Sequence, residues 1–387
     1  MVVEGPVRSA TMVPVPERIE ERVPGSTADP ARAPMDAYDY GLPESAIAQQ
    51  PVEPRSAARL LIGPGLDGNE APEHATMAEL PRLLRPGDVV VVNDTRVLPA
   101  RLLLRKESGG RAEVLLLEPI DHASGEWEAL VRPGRRLPDP TPLYEPGAPD
   151  DRPVVDVGPA VGSGIDGRRR VRLLDPSVVE RAGSMPLPPY IRRPLDDPER
   201  YQTVYSEPRA LEDRSTAAPT AGLHFTPELL EGCRAAGATV ARVELAIGLD
   251  TFRPITAPTA AEHVIHTERY SVPPETMEAC AAADRVVAVG TTAVRALEST
   301  AATGELAGRT DLYIHGDYPF RVVDVLVTNF HLPRSSLLLL VEAFCGPLWR
   351  RLYATALADG YRFLSFGDAM VVARSGAVPS SRPAPRR

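Results

Sequence analysis

Two rhythms of apolar residues divide this chain. From about Ala78 to Leu174, short runs rich in Val and Leu are separated by Gly and Pro: Val89–Asn93, Ala100–Arg105, Arg111–Leu117, Trp127–Val131, Val154–Val157 and Arg170–Leu174. Short strands at such spacing predict a small barrel or sandwich, and Gly109-Gly110 between two of them supplies a hairpin turn. From Ser177 onward strands alternate with helices. Helices are expected over Pro227–Ala236, Glu275–Ala283, Ala293–Ala302, Ser336–Phe344 and Leu348–Ala358. Strands are expected over Val240–Ile247, Arg285–Val289 and Val322–Val327, with a final stretch at Tyr361–Ser365. That alternation predicts a layered α/β domain. Residues 1–34 and the tail from Ser375 lack a steady period and read as disordered.

Composition narrows the function classes. Lys+Arg 43 against Asp+Glu 52 gives a net charge of -9, so no global basic field advertises a nucleic-acid binder. Arginine clusters at Arg132, Arg135 and Arg136, at Arg168–Arg172 and at Arg192-Arg193 leave a local basic face open. Cys233, Cys280 and Cys345 have no paired spacing, which predicts a reduced compartment and no zinc knuckle. No run is long and apolar enough to span a bilayer. The expected location is the cytoplasm.

Candidate chemistry comes from loops. Ala217 to Phe225 reads A-A-P-T-A-G-L-H-F and feeds a helix start, with Thr226 as N-cap and Pro227 at the first helical position. Such a loop offers unpaired N–H donors to a ligand, and His224 adds a side chain that exchanges protons near neutrality. Thr328-Asn329-Phe330-His331-Leu332-Pro333 is a second histidine-bearing bend. Arg285 to Arg295 runs from an apolar strand through Gly290-Thr291-Thr292 into a helix, which either holds a ribose, carboxylate or phosphate or is a plain strand-to-helix turn. His263-x-x-His266-x-Glu268 has metal-like spacing, but no third and fourth ligands are evident, and hydrogen bonding to substrate or loops is the favoured role. Asn93 to Val97 reads as a structural turn, beside which Arg96 and Arg101 can bind an anion. Met185 to Ile191 is a stiff proline-rich strut, or a wall presenting Tyr190.

Taken in order, M-P-L-P-P-Y-I, Arg200-Tyr201-Gln202-Thr203-Val204-Tyr205, A-A-P-T-A-G-L-H-F, V-G-T-T-x-V-R, T-N-F-H-L-P and Gly367-Asp368-Ala369-Met370 resemble the S-adenosylmethionine:tRNA ribosyltransferase-isomerase family of queuosine biosynthesis. Leu42-Pro43-Glu44 and Gly87-Asp88 with Asn93 to Val97 also match, so the likeness runs from about Tyr38 to Val372. The resemblance implies an α/β domain (35–77 and 178–374) interrupted by a small β-barrel (78–177). It implies transfer and isomerisation of the ribosyl part of S-adenosylmethionine onto 7-aminomethyl-7-deazaguanine in the tRNA anticodon region, giving epoxyqueuosine, adenine and methionine. It implies no metal and no cofactor beyond that co-substrate, and a monomer is expected.

For the site, the resemblance assigns His224 and His331 to proton transfers. Pro219, Thr220, Ala221, Gly222 and Phe225 would shape one substrate loop. Gly290, Thr291, Thr292 and Arg295 would hold the methionine carboxylate or ribose hydroxyls, and Thr328 and Asn329 would orient a base edge or a histidine. Arg96 and Tyr190 complete the expected substrate contacts. The chain departs from the family pattern at Ala246, where a histidine is usual, at Asp250, where glycine is usual, and over His315–Pro319, where His315 is a candidate replacement imidazole. Those departures leave two other readings open: the same chemistry on a small-molecule or nucleoside acceptor, and a non-catalytic ligand-binding relative.

Overall fold

The computed structural model describes residues 34–66, 68–121, 124–134, 137–148, 152–162, 167–248 and 254–376. The strands of the first half are β1 (Arg59–Ile62), β2 (Glu73–Thr76), β3 (Asp88–Asn93), β4 (Arg101–Lys106), β5 (Arg111–Asp121), β6 (Glu126–Arg132), β7 (Thr141–Tyr144), β8 (Pro153–Ala160) and β9 (Arg168–Leu173). Helix α1 (Val178–Ala182), strand β10 (Gly183–Ser184), helix α2 (Pro227–Ala235), strands β11 (Thr239–Leu245) and β12 (Glu268–Ser271), and helix α3 (Pro274–Ala282) follow. Then come β13 (Arg285–Val289), α4 (Thr291–Thr303), β14 (Ala307–Thr310), β15 (Val325–Asn329), α5 (Ser336–Cys345), α6 (Leu348–Ala358) and β16 (Ala369–Ala373).

An apolar run without alternation needs cover on both faces and neighbours on both edges. Val89 to Val92 is such a run, and β3 lies fully buried between β11 and β13, parallel to both. Val89 and Val91 face a core shared with α4, α5 and α6, while Val90 and Val92 face a second core shared with α2. Among the described residues this sheet has nine strands, in the order β14-β12-β11-β3-β13-β15-β16-β1-β2. The expectation that Val89–Asn93 belongs to the inserted β-barrel is therefore corrected: its continuous burial suits a central parallel strand, not a barrel strand with one wet face.

The barrel is built from β4 to β9. Antiparallel pairing runs β4-β5-β6-β9-β8-β7, and a β7–β4 pairing closes the ring around a core that contains buried Trp127. β7 escaped the sequence reading because Pro142 lies within it. The chain leaves the sheet beyond β3 and returns beside its own exit. There the N–H of Leu98 donates to the Ser215 carbonyl (2.7 Å), and the N–H of Ser215 donates to the Arg96 carbonyl (2.8 Å).

Two further expectations shift. Val322 and Val323 are not strand residues, because their N–H groups and that of Arg321 all donate to the buried Glu298 carboxylate, so β15 starts later. Tyr361–Ser365 is a turn rather than a strand: Leu364 has φ 69, and the last strand is β16. The helices keep their expected places, with Thr226 capping α2 and Ser335 capping α5 through side-chain acceptors. The expected arm and tail lie outside the described residues apart from Pro34, Ser375 and Gly376. Among the described residues no helix is long and apolar enough to cross a membrane.

Candidate active site

Three loops at the carboxyl ends of central strands meet at one point. Pro219, Thr220 and Ala221 come from the first loop, Gly290, Thr291 and Thr292 from the β13–α4 corner, and Thr328 and His331 from the end of β15. Together they enclose a cavity of about 20 Å³. Gly290 sits at φ 89, a left-handed conformation that a side chain resists, and a Cβ there would stand 3.5 Å from the Ala221 methyl. Its bend lets the two loops touch. A second cavity of about 20 Å³ shares Thr220 and His331 and adds Asn329, Tyr190 and Ser365. His331 and Thr220 thus belong to both walls.

His331 is held from several directions. Its backbone N–H donates to the Tyr353 hydroxyl (2.9 Å), its carbonyl accepts from the Tyr40 hydroxyl, and Nε2 lies 3.0 Å from Thr328 Oγ1. His224 lines neither cavity. Its Nε2 lies 3.1 Å from Asn329 Nδ2, which also donates to the carbonyls of Leu364 (3.2 Å) and Asp368 (3.3 Å). Those two carbonyls fix the amide with its NH2 toward them, so His224 Nε2 accepts and carries no proton. Burial pushes both imidazoles down to about 3, with Arg362 and Arg55 adding repulsion at His224. Both rings are neutral at pH 7 and, with their charged forms disfavoured by burial, weak bases.

The carbonyls that hold Asn329 belong to a turn the sequence reading undervalued. Gly367 permits it, because a Cβ there would lie 2.4 Å from the Arg362 carbonyl oxygen. Asp368 closes it by accepting from the N–H of Arg362 (2.8 Å) and of Arg59 (3.0 Å). Tyr190 hydrogen-bonds Ser365 Oγ at 2.8 Å, so the proline-rich segment is both strut and wall.

A much larger cleft, about 690 Å³, adjoins through Leu337, which lines both small cavities, and Ile247, which lines the first. One side is formed by the barrel residues Leu117, Glu118 and Glu128, the other by β12 and its approaches. In its wall lies a buried ion pair between Arg295 and Glu268. Arg295 Nε donates to the Leu312 carbonyl (3.1 Å), whereas Nη2 is buried with no hydrogen-bond partner. Glu268 accepts from the N–H of Gly248 at 3.0 Å. With Glu268 so engaged, His263-x-x-His266-x-Glu268 is not a metal set, and no group of three potential ligands converges among the described residues.

Some expected site residues stand elsewhere. Arg96 is committed to Glu199 (2.8 Å) and Ser206 (3.2 Å), away from the cavities. Phe225 is core, packed edge-on against Tyr205. Gly222 serves packing: a Cβ there would lie 2.0 Å from the Tyr205 hydroxyl. His315 packs its ring 4.5 Å from Tyr313 and lines neither small cavity nor the cleft. The cleft's imidazoles are His263 and His266, and Ala246 is a wall residue of that cleft. Asp250 is outside the described residues.

A sequence model of the family described as "Queuosine biosynthesis protein" matches residues 35–372. The chain belongs to that family. Among its relatives, the S-adenosylmethionine:tRNA ribosyltransferase-isomerase of Synechococcus elongatus is 47% identical over 358 residues, covering 89% of this chain and 97% of that protein. The enzyme of the same name from Rubrobacter xylanophilus is 46% identical over 344 residues, with 88% and 98% covered. The crystal structure of S-adenosylmethionine tRNA ribosyltransferase from Thermotoga maritima is 36% identical, covers 86% of this chain and 99% of that one, and superposes with a TM-score of 0.47.

Proposed function

We propose that this family member is an S-adenosylmethionine:tRNA ribosyltransferase-isomerase, joining the ribosyl group of S-adenosylmethionine to 7-aminomethyl-7-deazaguanine in tRNA and releasing adenine and methionine. The observation that carries the reading is the meeting of three family loop motifs around His331, beside a cleft large enough for a nucleoside. The reaction needs a base for the acidic ribose 5′ carbon next to the sulfonium, and a proton for the departing adenine. His331 is placed in the cavity wall for both transfers, and because burial makes its neutral ring a weak base, the acidity that the sulfonium lends the 5′ carbon carries much of the first. His224 acts through Asn329 as a positioning residue, holding the amide that borders the second cavity. The buried Arg295–Glu268 pair suits a zwitterionic amino-acid end: a guanidinium for the carboxylate of the methionyl group and a carboxylate for its ammonium. The same reading has the enzyme working as a cytoplasmic monomer with no cofactor beyond its co-substrate.

The test is free adenine measured after incubation with S-adenosylmethionine, with and without tRNA bearing the aminomethyl-deazaguanine. Adenine that depends on the tRNA is the expected result. Adenine released only with a free nucleoside acceptor, or none at all, would overturn the proposal.

A further inference from the structure

The proline-rich strut separates two differently charged spaces. On its inner side Tyr190 lines the cavity that holds His331. On its outer side Pro188, Pro189 and Ile191 form one wall of an open groove of about 570 Å³, whose other wall is the barrel strands β4 to β6. Four arginines line this groove, Arg101, Arg132, Arg192 and Arg193, against a single acid, Glu113, among its described lining residues. The 690 Å³ cleft is different: each of its arginines is matched to a carboxylate, such as Arg309 to Glu118 and Arg168 to Glu128. That cleft is polar but neutralised, as a small charged-and-compensated substrate requires.

The groove's cations are far less neutralised. Arg101 is held by Glu113 at 3.1 Å. Arg132 forms no ion pair among the described residues, and Arg193 reaches only Gln50, at 3.4 Å. Arg192 pairs with Glu44, but both side chains are more than two-thirds exposed, so a competing anion can displace the pair. A basic rim on a chain of net charge -9 is a local feature rather than a reflection of overall charge. The floor includes apolar Leu115, Leu130 and Leu187, and no aromatic ring is among the described residues that line the groove. Base stacking is therefore not on offer, while phosphate contacts are.

We infer that this groove is where the backbone of the acceptor RNA docks, its phosphates on Arg132, Arg192 and Arg193. The inference rests on the proposed tRNA acceptor and adds its docking face. Because phosphates carry the contact, docking through the groove is insensitive to base sequence and sensitive to salt.

The experiment compares full-length wild type with Arg132→Glu/Arg193→Glu and with Arg234→Glu/Arg351→Glu, which makes the same charge change outside the groove. Kd for tRNA is measured by fluorescence anisotropy over a salt series, and KM for tRNA and for S-adenosylmethionine from adenine release. The groove variant should bind tRNA at least about tenfold more weakly, with a log Kd–log salt slope lower by about 1 to 2. Its KM for S-adenosylmethionine and its kcat at saturating tRNA should be unchanged. Unchanged tRNA affinity and slope, or equal losses in the control pair, would overturn the docking site. The milder Arg132→Gln/Arg193→Gln pair repeats the binding measurement should the reversal lower the melting temperature. Direct binding needs no turnover, so a wild type that binds tRNA through the groove but releases no adenine would sink the proposed activity and leave the groove standing.

Discussion

Arg295 Nη2 is a charged donor shut away from water without an acceptor, in the wall of the space where a substrate must lie. Such a group is costly unless something supplies its partner. If the methionyl carboxylate does so, Arg295→Gln should raise KM for S-adenosylmethionine by roughly tenfold to a hundredfold, the worth of a charged hydrogen bond. The decarboxylated analogue, which lacks the acceptor, should be used about equally by wild type and variant. Equal losses with both substrates would mean that Arg295 only braces Glu268. Since an abandoned buried carboxylate destabilises on its own account, Arg295→Gln/Glu268→Gln is the matching control for folding. At this scale the sequence singles out His331, Thr220 and Arg295 through the loop strings that hold them, and the structure places them around the two small cavities and the adjoining cleft. It could not rank His224 behind Asn329, since that order depends on the carbonyls of Leu364 and Asp368, distant in the chain and without a side-chain signature. Arg96 misled because its partner Glu199 is equally invisible to local reading.

The loop Thr220–His224 folds as a 3-10 turn, and its shape depends on one missing side chain. A methyl at Gly222 would collide with the Tyr205 hydroxyl at 2.0 Å and meet Thr203 at 3.0 Å. Gly222→Ala should therefore cost about 1 to 3 kcal/mol in urea unfolding and lower kcat by displacing Thr220. Tyr205→Phe alone should be nearly neutral, because that hydroxyl is buried without a partner. Combined with Gly222→Ala it should restore part of both losses; no restoration would show that the turn fails for another reason. Elements with a strong period are legible in the sequence alone: the helices with their caps, and β13 residue for residue. The short strands β1, β2, β12 and β14 are not, since four residues carry too little pattern, and their identity comes from neighbours across the sheet.

For the molecule as a whole, the two site imidazoles couple activity to acid stability. Each has a folded pKa near 3 against 6.5 in the unfolded chain, so below pH 6.5 the unfolded state binds the extra protons. Their contribution is fully present above pH 6.5 and is lost as the pH falls toward 3, with a slope of up to about 1.4 kcal/mol per pH unit for each ring. The raised carboxyls Asp94 and Glu244 act the opposite way. They are common to wild type and His331→Gln, so the difference between the two unfolding curves from pH 7 to 4 isolates one ring; parallel curves would contradict its buried neutral state. Fold class was readable at this scale from the change of rhythm along the chain, whereas the membership of β3 was not, because its partners β11 and β13 lie beyond the whole barrel in sequence. The crossing at Arg96, Leu98 and Ser215 has a mechanical consequence. The barrel's outgoing connection is thereby tied to a segment that runs on within a few residues to Pro219 and Thr220. The strap that seats the barrel's first connection and the lining of the reaction chamber are thus one stretch of chain, and a substitution that loosens Ser215 is felt at both.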